Sequence, residues 1–198
     1  FSSSKNLNEQ ATSFETLKKS KAINQLFSAI ESYSKNSEIR YVGGCIRKIL
    51  NNEKIDDIDF AVNLKPNECI EALNKKNIKF YETGIDHGTL TAIIDNYKFE
   101  ITSLRKDLNT DGRHAEVAFS TDWHEDASRR DFTINSIYSD IDGNLYDPFD
   151  GKKHLQIGKI EFIGNSEKRI KEDYLRILRY IRFFINYSKL PHNEKVKK

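Results

Sequence analysis

Two aspartates, Asp57 and Asp59, stand one residue apart, ten residues beyond the run Gly43-Gly44-Cys45-Ile46-Arg47. Side chains alternate along a strand, so on a strand over residues 55–62 both carboxylates face one way. Ile58, Phe60 and Val62 then face the other way and can bury. The Gly-Gly turn offers backbone N–H donors, and Arg47, one turn further on, adds a cation. Hard carboxylate oxygens beside such a turn suit magnesium and a triphosphate, and the chemistry open to that set is nucleotidyl transfer. Each part alone has a plainer reading: glycine pairs connect elements, arginines sit on surfaces, and a lone Asp-x-Asp is common. Their convergence favours the functional reading.

The elements needed to hold these residues can be read from local pattern. Leu17, Ile23, Leu26, Phe27 and Ile30 approximate helical spacing, predicting one helix over residues 14–33 beneath a sheet. Residues 39–42 read as a strand, 45–50 as a helix and 66–74 as a helix with Pro66 at a tolerated early position. Residues 89–95 and 98–104 read as two strands, with Asn96-Tyr97 as the hairpin signal. Glu100 lies between Phe99 and Ile101, so its carboxylate is expected on the polar face, beside the aspartate pair.

Residues 105–120 lack periodicity and read as a mobile loop. Asp122 with Glu125 three residues on resembles a helix N-cap, opening a helix that would contain Arg129-Arg130-Asp131. Asp142-Gly143 reads as a tight turn between short strands, residues 147–151 as turn-rich, and residues 166–187 as a final helix. Residues 1–12 read as a loose polar lead-in.

Arg129-Arg130-Asp131-Phe132-Thr133-Ile134-Asn135 could be a salt-bridged surface turn, or could offer arginines to phosphate and Asp131 to a ribose hydroxyl. Asp173 and Arg176, three apart on one helical face, could be an ion pair, or an acceptor–donor edge that mimics the pairing face of a base. The histidines show no zinc spacing, and Trp123 is expected to pack.

A net charge of +2 does not announce a nucleic-acid partner for the whole chain, so any such surface must be local. The Lys/Arg-rich stretch 169–198 is the best candidate. With 37% hydrophobic and 31% charged residues the chain is globular rather than disordered. Two cysteines without ligand spacing point to a reducing compartment, the cytoplasm or, in a eukaryote, the mitochondrial matrix. No apolar run is long enough to cross a bilayer, so no membrane partner is expected. The absence of methionine, even at position 1, suggests a piece of a longer protein.

In this order, the motifs resemble those of the class II tRNA nucleotidyltransferase (CCA-adding enzyme) and bacterial poly(A) polymerase family. The resemblance covers residues 41–184 and includes Thr83-Gly84-Ile85-Asp86-His87-Gly88-Thr89 as well as the runs named above. It implies an α+β, polymerase-beta-like head with a small, mainly antiparallel sheet and flanking helices. The lead-in and first helix would span residues 1–36, the head 37–150, and the start of a helical neck 151–198.

It further implies that Asp57 and Asp59 hold two magnesium ions and that Glu100 completes the catalytic cluster. Gly43, Gly44 and Arg47 would contact the triphosphate. Arg130, Asp131 and Asn135 match the ribose-associated motif. Asp147 and Gly151 match a springy element that reorients the templating pair. Asp173 and Arg176 would read ATP and CTP, with Arg179 as a further nucleotide contact. The implied partners are ATP, CTP and the 3′ end of tRNA, to which CMP and AMP are added. The alternatives are a poly(A) polymerase, or a nucleotide- or RNA-binding remnant without turnover. Three positions depart from the family pattern: Lys48 stands where Asp is usual, Asn51 where Gly commonly ends the helix, and Tyr174 where Pro is frequent.

Overall fold

A computed structural model describes residues 13–55, 57–108 and 117–164, together with 178, 179, 181, 182, 185 and 186. Nine strands and six α-helices are described. In chain order these are α1 Phe14–Lys18, α2 Lys21–Glu31, β1 Ile39–Val42, α3 Gly44–Leu50, β2 Asp59–Val62 and α4 Pro66–Lys75. Then follow β3 Lys79–Gly84, β4 Thr89–Ile94, β5 Tyr97–Ser103, β6 Arg105–Asp107 and β7 Val117–Phe119. The last are α5 Trp123–Ser128, β8 Tyr138–Ser139, β9 Leu145–Tyr146 and α6 Gly151–Ile157.

Seven strands form one sheet in the order β3-β4-β5-β2-β1-β8-β9, and β6 and β7 form a separate ribbon. Within the sheet only β2 and β5 run parallel; the other pairings are antiparallel. The fold is therefore the small, mainly antiparallel α+β sheet expected. One sheet face buries Tyr41, Phe60 and Phe99 against Phe27 of α2. Ring centroids lie 5.4 Å apart for Phe27–Tyr41 and 5.7 Å apart for both Phe27–Phe60 and Phe60–Phe99. Tilted and edge-on contacts of this kind add to the burial of the rings themselves.

Several local expectations change. The single helix over 14–33 is two helices, because Ser20 adopts an extended conformation and its hydroxyl accepts from Ile23 N, restarting the helix. The strand expected over 55–62 begins only at Asp59, leaving Asp57 in the segment just before it. The hairpin turn lies at Asp95-Asn96, one residue earlier than expected. Both residues have positive φ, 51° and 68°, as a turn matched to strand twist requires. Strand β3, on the sheet edge, was not anticipated.

Part of the expected loop over 105–120 is instead the ribbon, with Arg105 opposite Phe119 and Asp107 opposite Val117. Asp107 of the ribbon also accepts from Arg129 Nε at 3.2 Å, tying the ribbon to the residue that follows α5. Helix α5 stops at Ser128, so Arg129-Arg130-Asp131 lie past its end, ahead of a single 3₁₀ turn at Thr133–Asn135. Asn51, standing where glycine commonly ends the helix, is also accommodated locally. Asn51 is an ordinary C-cap, and Asn52, with φ 55°, takes the left-handed position. Glu53 N then reaches Lys48 O at 2.8 Å and Asn52 N reaches Ile49 O at 3.2 Å, the paired bonds that close a helix end.

The expectations for residues 1–12, most of 166–187, and the centre of the 105–120 stretch lie outside the described residues. Those of residues 178–186 that are described are helical.

Candidate active site

The acidic cluster is assembled by strand register. Asp59, the first residue of β2, pairs with Glu100 of β5 in the parallel ladder and with Val42 of β1 on its other side. Residues opposite one another in a sheet share a face, so the Asp59 and Glu100 carboxylates lie side by side. Asp57 is exposed, Ile58 buried, Asp59 half-buried and Phe60 buried, so the expected alternation continues through the segment before the strand.

Burial first, then the nearby charges of Glu100 and Asp57, push the Asp59 carboxyl up to about 6 against the pull of Arg130. Like charges crowded this closely are held apart in energy until a cation joins them. The donor set is wholly carboxylate, which suits magnesium. Among the described residues no three His, Cys, Asp or Glu side chains close a metal cage on their own. Cys45 is packed beneath the cluster, its thiol pushed up to about 12 mainly by burial, and is chemically quiet.

The glycine turn flanks this cluster because Gly43 directly follows Val42, the residue opposite Asp59. Gly43 has φ 75° and ψ −131°, a conformation that side-chain-bearing residues avoid. A Cβ on Gly44 would lie 3.6 Å from Arg47 Nη2, so the guanidinium rests against the turn. Arg47 Nη1 also donates to Asn135 Oδ1. Asn135 Nδ2 reaches Asp131 Oδ1 at 3.4 Å, and Asp131 Oδ2 accepts from Arg179 Nη1 at 3.1 Å. Four of the sequence-predicted residues, Arg47, Asn135, Asp131 and Arg179, thus form one chain of polar contacts. It runs from the glycine turn to the C-terminal helical residues. Asp173 and Arg176 lie outside the described residues.

A model of the poly A polymerase head domain matches residues 39–161. The chain belongs to that family. It is 47% identical over 165 residues to "CCA tRNA nucleotidyltransferase 1, mitochondrial" of Homo sapiens, covering 83% of this chain and 37% of that protein. To the CCA-adding enzyme of Lactobacillus johnsonii it is 38% identical over 162 residues, covering 80% and 40%. The chain thus spans about two fifths of the length of these curated relatives.

Among solved structures it resembles the Bacillus stearothermophilus CCA-adding enzyme in complex with CTP, with a TM-score of 0.73 and 27% identity. That match covers 89% of this chain and 43% of the other. A tRNA nucleotidyltransferase complexed with a primer tRNA and an incoming ATP analog gives a TM-score of 0.67 at 26% identity, covering 86% and 48%.

The poly A polymerase head also contains a buried polar knot that sequence reading missed. Asp126 is 2% exposed. Its Oδ2 accepts from Tyr138 Oη at 2.5 Å and Arg130 Nη2 at 3.1 Å, and its Oδ1 accepts from Arg105 N at 3.0 Å. Arg130 Nε donates to Tyr138 Oη at 3.1 Å. Burial opposes the Arg130 cation, but Tyr138 and Asp126 outweigh it and hold the guanidinium more firmly charged than usual. The i,i+4 spacing of Asp126 and Arg130 was a legible signal; the third partner, Tyr138, comes from β8 and was not.

Trp123 packs as expected, edge-on to Tyr138 at 5.5 Å, with the Arg40 guanidinium 4.1 Å above its ring. Asp147 caps α6 with both oxygens, accepting from Gly151 N at 2.8 Å and Lys152 N at 2.9 Å. A Cβ on Gly151 would fall 2.2 Å from Thr133 O, so this glycine lets α6 close onto the 3₁₀ turn that carries Asn135.

Proposed function

We propose that this chain is the catalytic head of a template-independent RNA nucleotidyltransferase that adds CMP and AMP from CTP and ATP to the 3′ end of tRNA. The observation that carries the reading is the Asp59–Glu100 pairing with Asp57 close by, flanked by the Gly43 turn and Arg47. Asp57 and Asp59 would hold magnesium, two ions in this reading, and the metal would supply Lewis-acid charge neutralisation for phosphoryl transfer. Glu100 orients the primer terminus beside Asp59. The Gly43 and Gly44 backbone and Arg47 bind the triphosphate, and Asn135 keeps the Arg47 guanidinium turned toward it.

Arg130, fixed by Asp126 and Tyr138, places a permanent positive charge near the carboxylates on the nucleotide side. Asp131 and Asn135 face the ribose, and Arg179 borders the same pocket. Asp173 and Arg176 read the base through paired acceptor and donor groups, so that specificity needs no nucleic-acid template. Asp147 and Gly151 form the element that lets the base-reading helix shift between nucleotides.

The names of the curated relatives support CCA addition over poly(A) synthesis. The intact acidic cluster argues against a remnant without turnover. The mitochondrial relatives support residence in the mitochondrial matrix. Among the described residues no helix is long and apolar enough to cross a membrane.

The test is magnesium-dependent incorporation of each labelled NTP into tRNA lacking its 3′ end. Addition of C, C and A that disappears in Asp57→Ala and Asp59→Ala is the expected outcome. Long A tails would mark a polymerase, and incorporation that survives Asp59→Ala would overturn the site.

A further inference from the structure

The row of residues that contains Asp59 continues across the sheet. Glu100 pairs with Thr91 of β4, and Thr91 with Tyr81 of β3, so Tyr81, Thr91, Glu100 and Asp59 share one face. Strands lie about 4.8 Å apart, which places Tyr81 roughly 14 Å from Asp59, a span that a few nucleotides cover.

This part of the face is uncovered. Tyr81 is 50% exposed at the sheet edge, and Lys98 and Glu100 are exposed on β5. The next row along is Lys79–Ile93–Lys98, which sets two lysines on the same side as Tyr81. The Lys79 ammonium lies 5.3 Å from the Tyr81 ring, and among the described residues neither Lys79 nor Lys98 is held in an ion pair. On the other side of the Tyr81 row the same face carries paired hydroxyls, Thr83 with Thr91 at 2.8 Å and Thr89 with Thr102 at 3.1 Å.

An exposed ring flanked by unpaired cations and hydroxyls is the surface chemistry that receives single-stranded nucleic acid. Direction agrees with this. The Gly43 turn, Arg47 and Arg130 provide the cations and backbone donors near Asp59 that a triphosphate needs. In-line displacement requires the attacking hydroxyl opposite the departing pyrophosphate, so it must approach from the Glu100 side.

We propose that the open face of β3, β4 and β5 is the platform for the single-stranded 3′ end of the RNA primer. Tyr81 stacks on one base, and Lys79 and Lys98 hold backbone phosphates. The inference rests on the nucleotidyl-transfer reading and deepens it by naming the primer track.

The experiment compares the parent chain with Tyr81→Ala, Tyr81→Phe, Lys79→Ala and Lys98→Ala. Steady-state incorporation gives KM separately for RNA and for CTP. Anisotropy of a short 5′-fluorescein RNA gives Kd across a salt series. Tyr81→Ala is expected to raise KM and Kd for RNA about tenfold, with KM for CTP unchanged and with Phe restoring the parent value. Each lysine variant is expected to weaken RNA binding and lower the salt slope by about one.

RNA constants equal in Tyr81, Phe and Ala chains would overturn the platform even if the parent is active. If the parent incorporates nothing, RNA binding still decides. A loss confined to Tyr81→Ala and the lysine variants would uphold the platform while counting against nucleotidyl transfer by this chain on its own. A parent that binds no RNA would reject the platform.

Discussion

Asp59→Asn should make the metal-free protein more stable while abolishing its chemistry. Asp59 has an ordinary carboxyl value of 3.8 and stands at about 6 in the folded chain, for reasons of burial first and the Glu100 and Asp57 charges next. Between those values the folded state holds the extra proton, so stability falls as pH rises from about 4 to about 6 and is flat above. The lost stability is roughly two pH units' worth, or about 3 kcal/mol as an upper figure. Asp59 is only half-buried, and water screening reduces that.

Asparagine is close in shape to the protonated acid and carries no charge at any pH. In chelator at pH 8, thermal or urea unfolding should show Asp59→Asn more stable than the parent, by several degrees at most. The gap should shrink as pH falls through 6 and close near 4. Adding magnesium should stabilise the parent more than the variant, because only the parent offers both aspartate charges to the ion. A variant less stable than the parent at pH 8 in chelator would refute the reasoning, and so would a gap that ignores pH.

Other perturbations probe the scaffold. Gly151→Ala forces a Cβ to within 2.2 Å of the Thr133 carbonyl, which is backbone and cannot swing aside. Urea denaturation should register a loss of about 3 kcal/mol. Asp126→Ala strips a buried acceptor from Arg130, Tyr138 and Arg105 N and should cost about 3 kcal/mol or more by the same measurement. Tyr138→Phe removes one hydroxyl from that knot and should cost only about 1 kcal/mol. Arg179→Ala loses an exposed partner of Asp131, so its unfolding free energy by urea denaturation should fall by less than about 1 kcal/mol.

Sequence alone determined the parts of this protein that depend on neighbours along the chain. Period-two alternation put Asp57 and Asp59 on one face and Glu100 opposite its apolar neighbours, because strand geometry leaves a side chain two directions. The glycine turn, the Asp122 cap and the β4–β5 hairpin were likewise legible, each set by backbone sterics or a side chain within reach of the next turn. Where local signals competed, boundaries moved: Ser20 split a helix whose apolar spacing reads as continuous, and Asp95-Asn96 took the turn that Asn96-Tyr97 suggested.

Tertiary structure decided what meets across long separations. Only the parallel pairing of β2 with β5 sets Glu100 beside Asp59, forty-one residues away, where its charge adds to the burial that raises the Asp59 carboxyl. The return of β8 beside β1 brings Tyr138 to Asp126 and Arg130, and the contact of Asp131 with Arg179 ties the glycine turn to the C-terminal helical residues. Strand β3 escaped notice because an exposed edge strand carries little apolar alternation to read. Local geometry chooses the direction of each side chain. Which other side chain waits there is settled by the burial of the whole sheet, which no window of sequence contains.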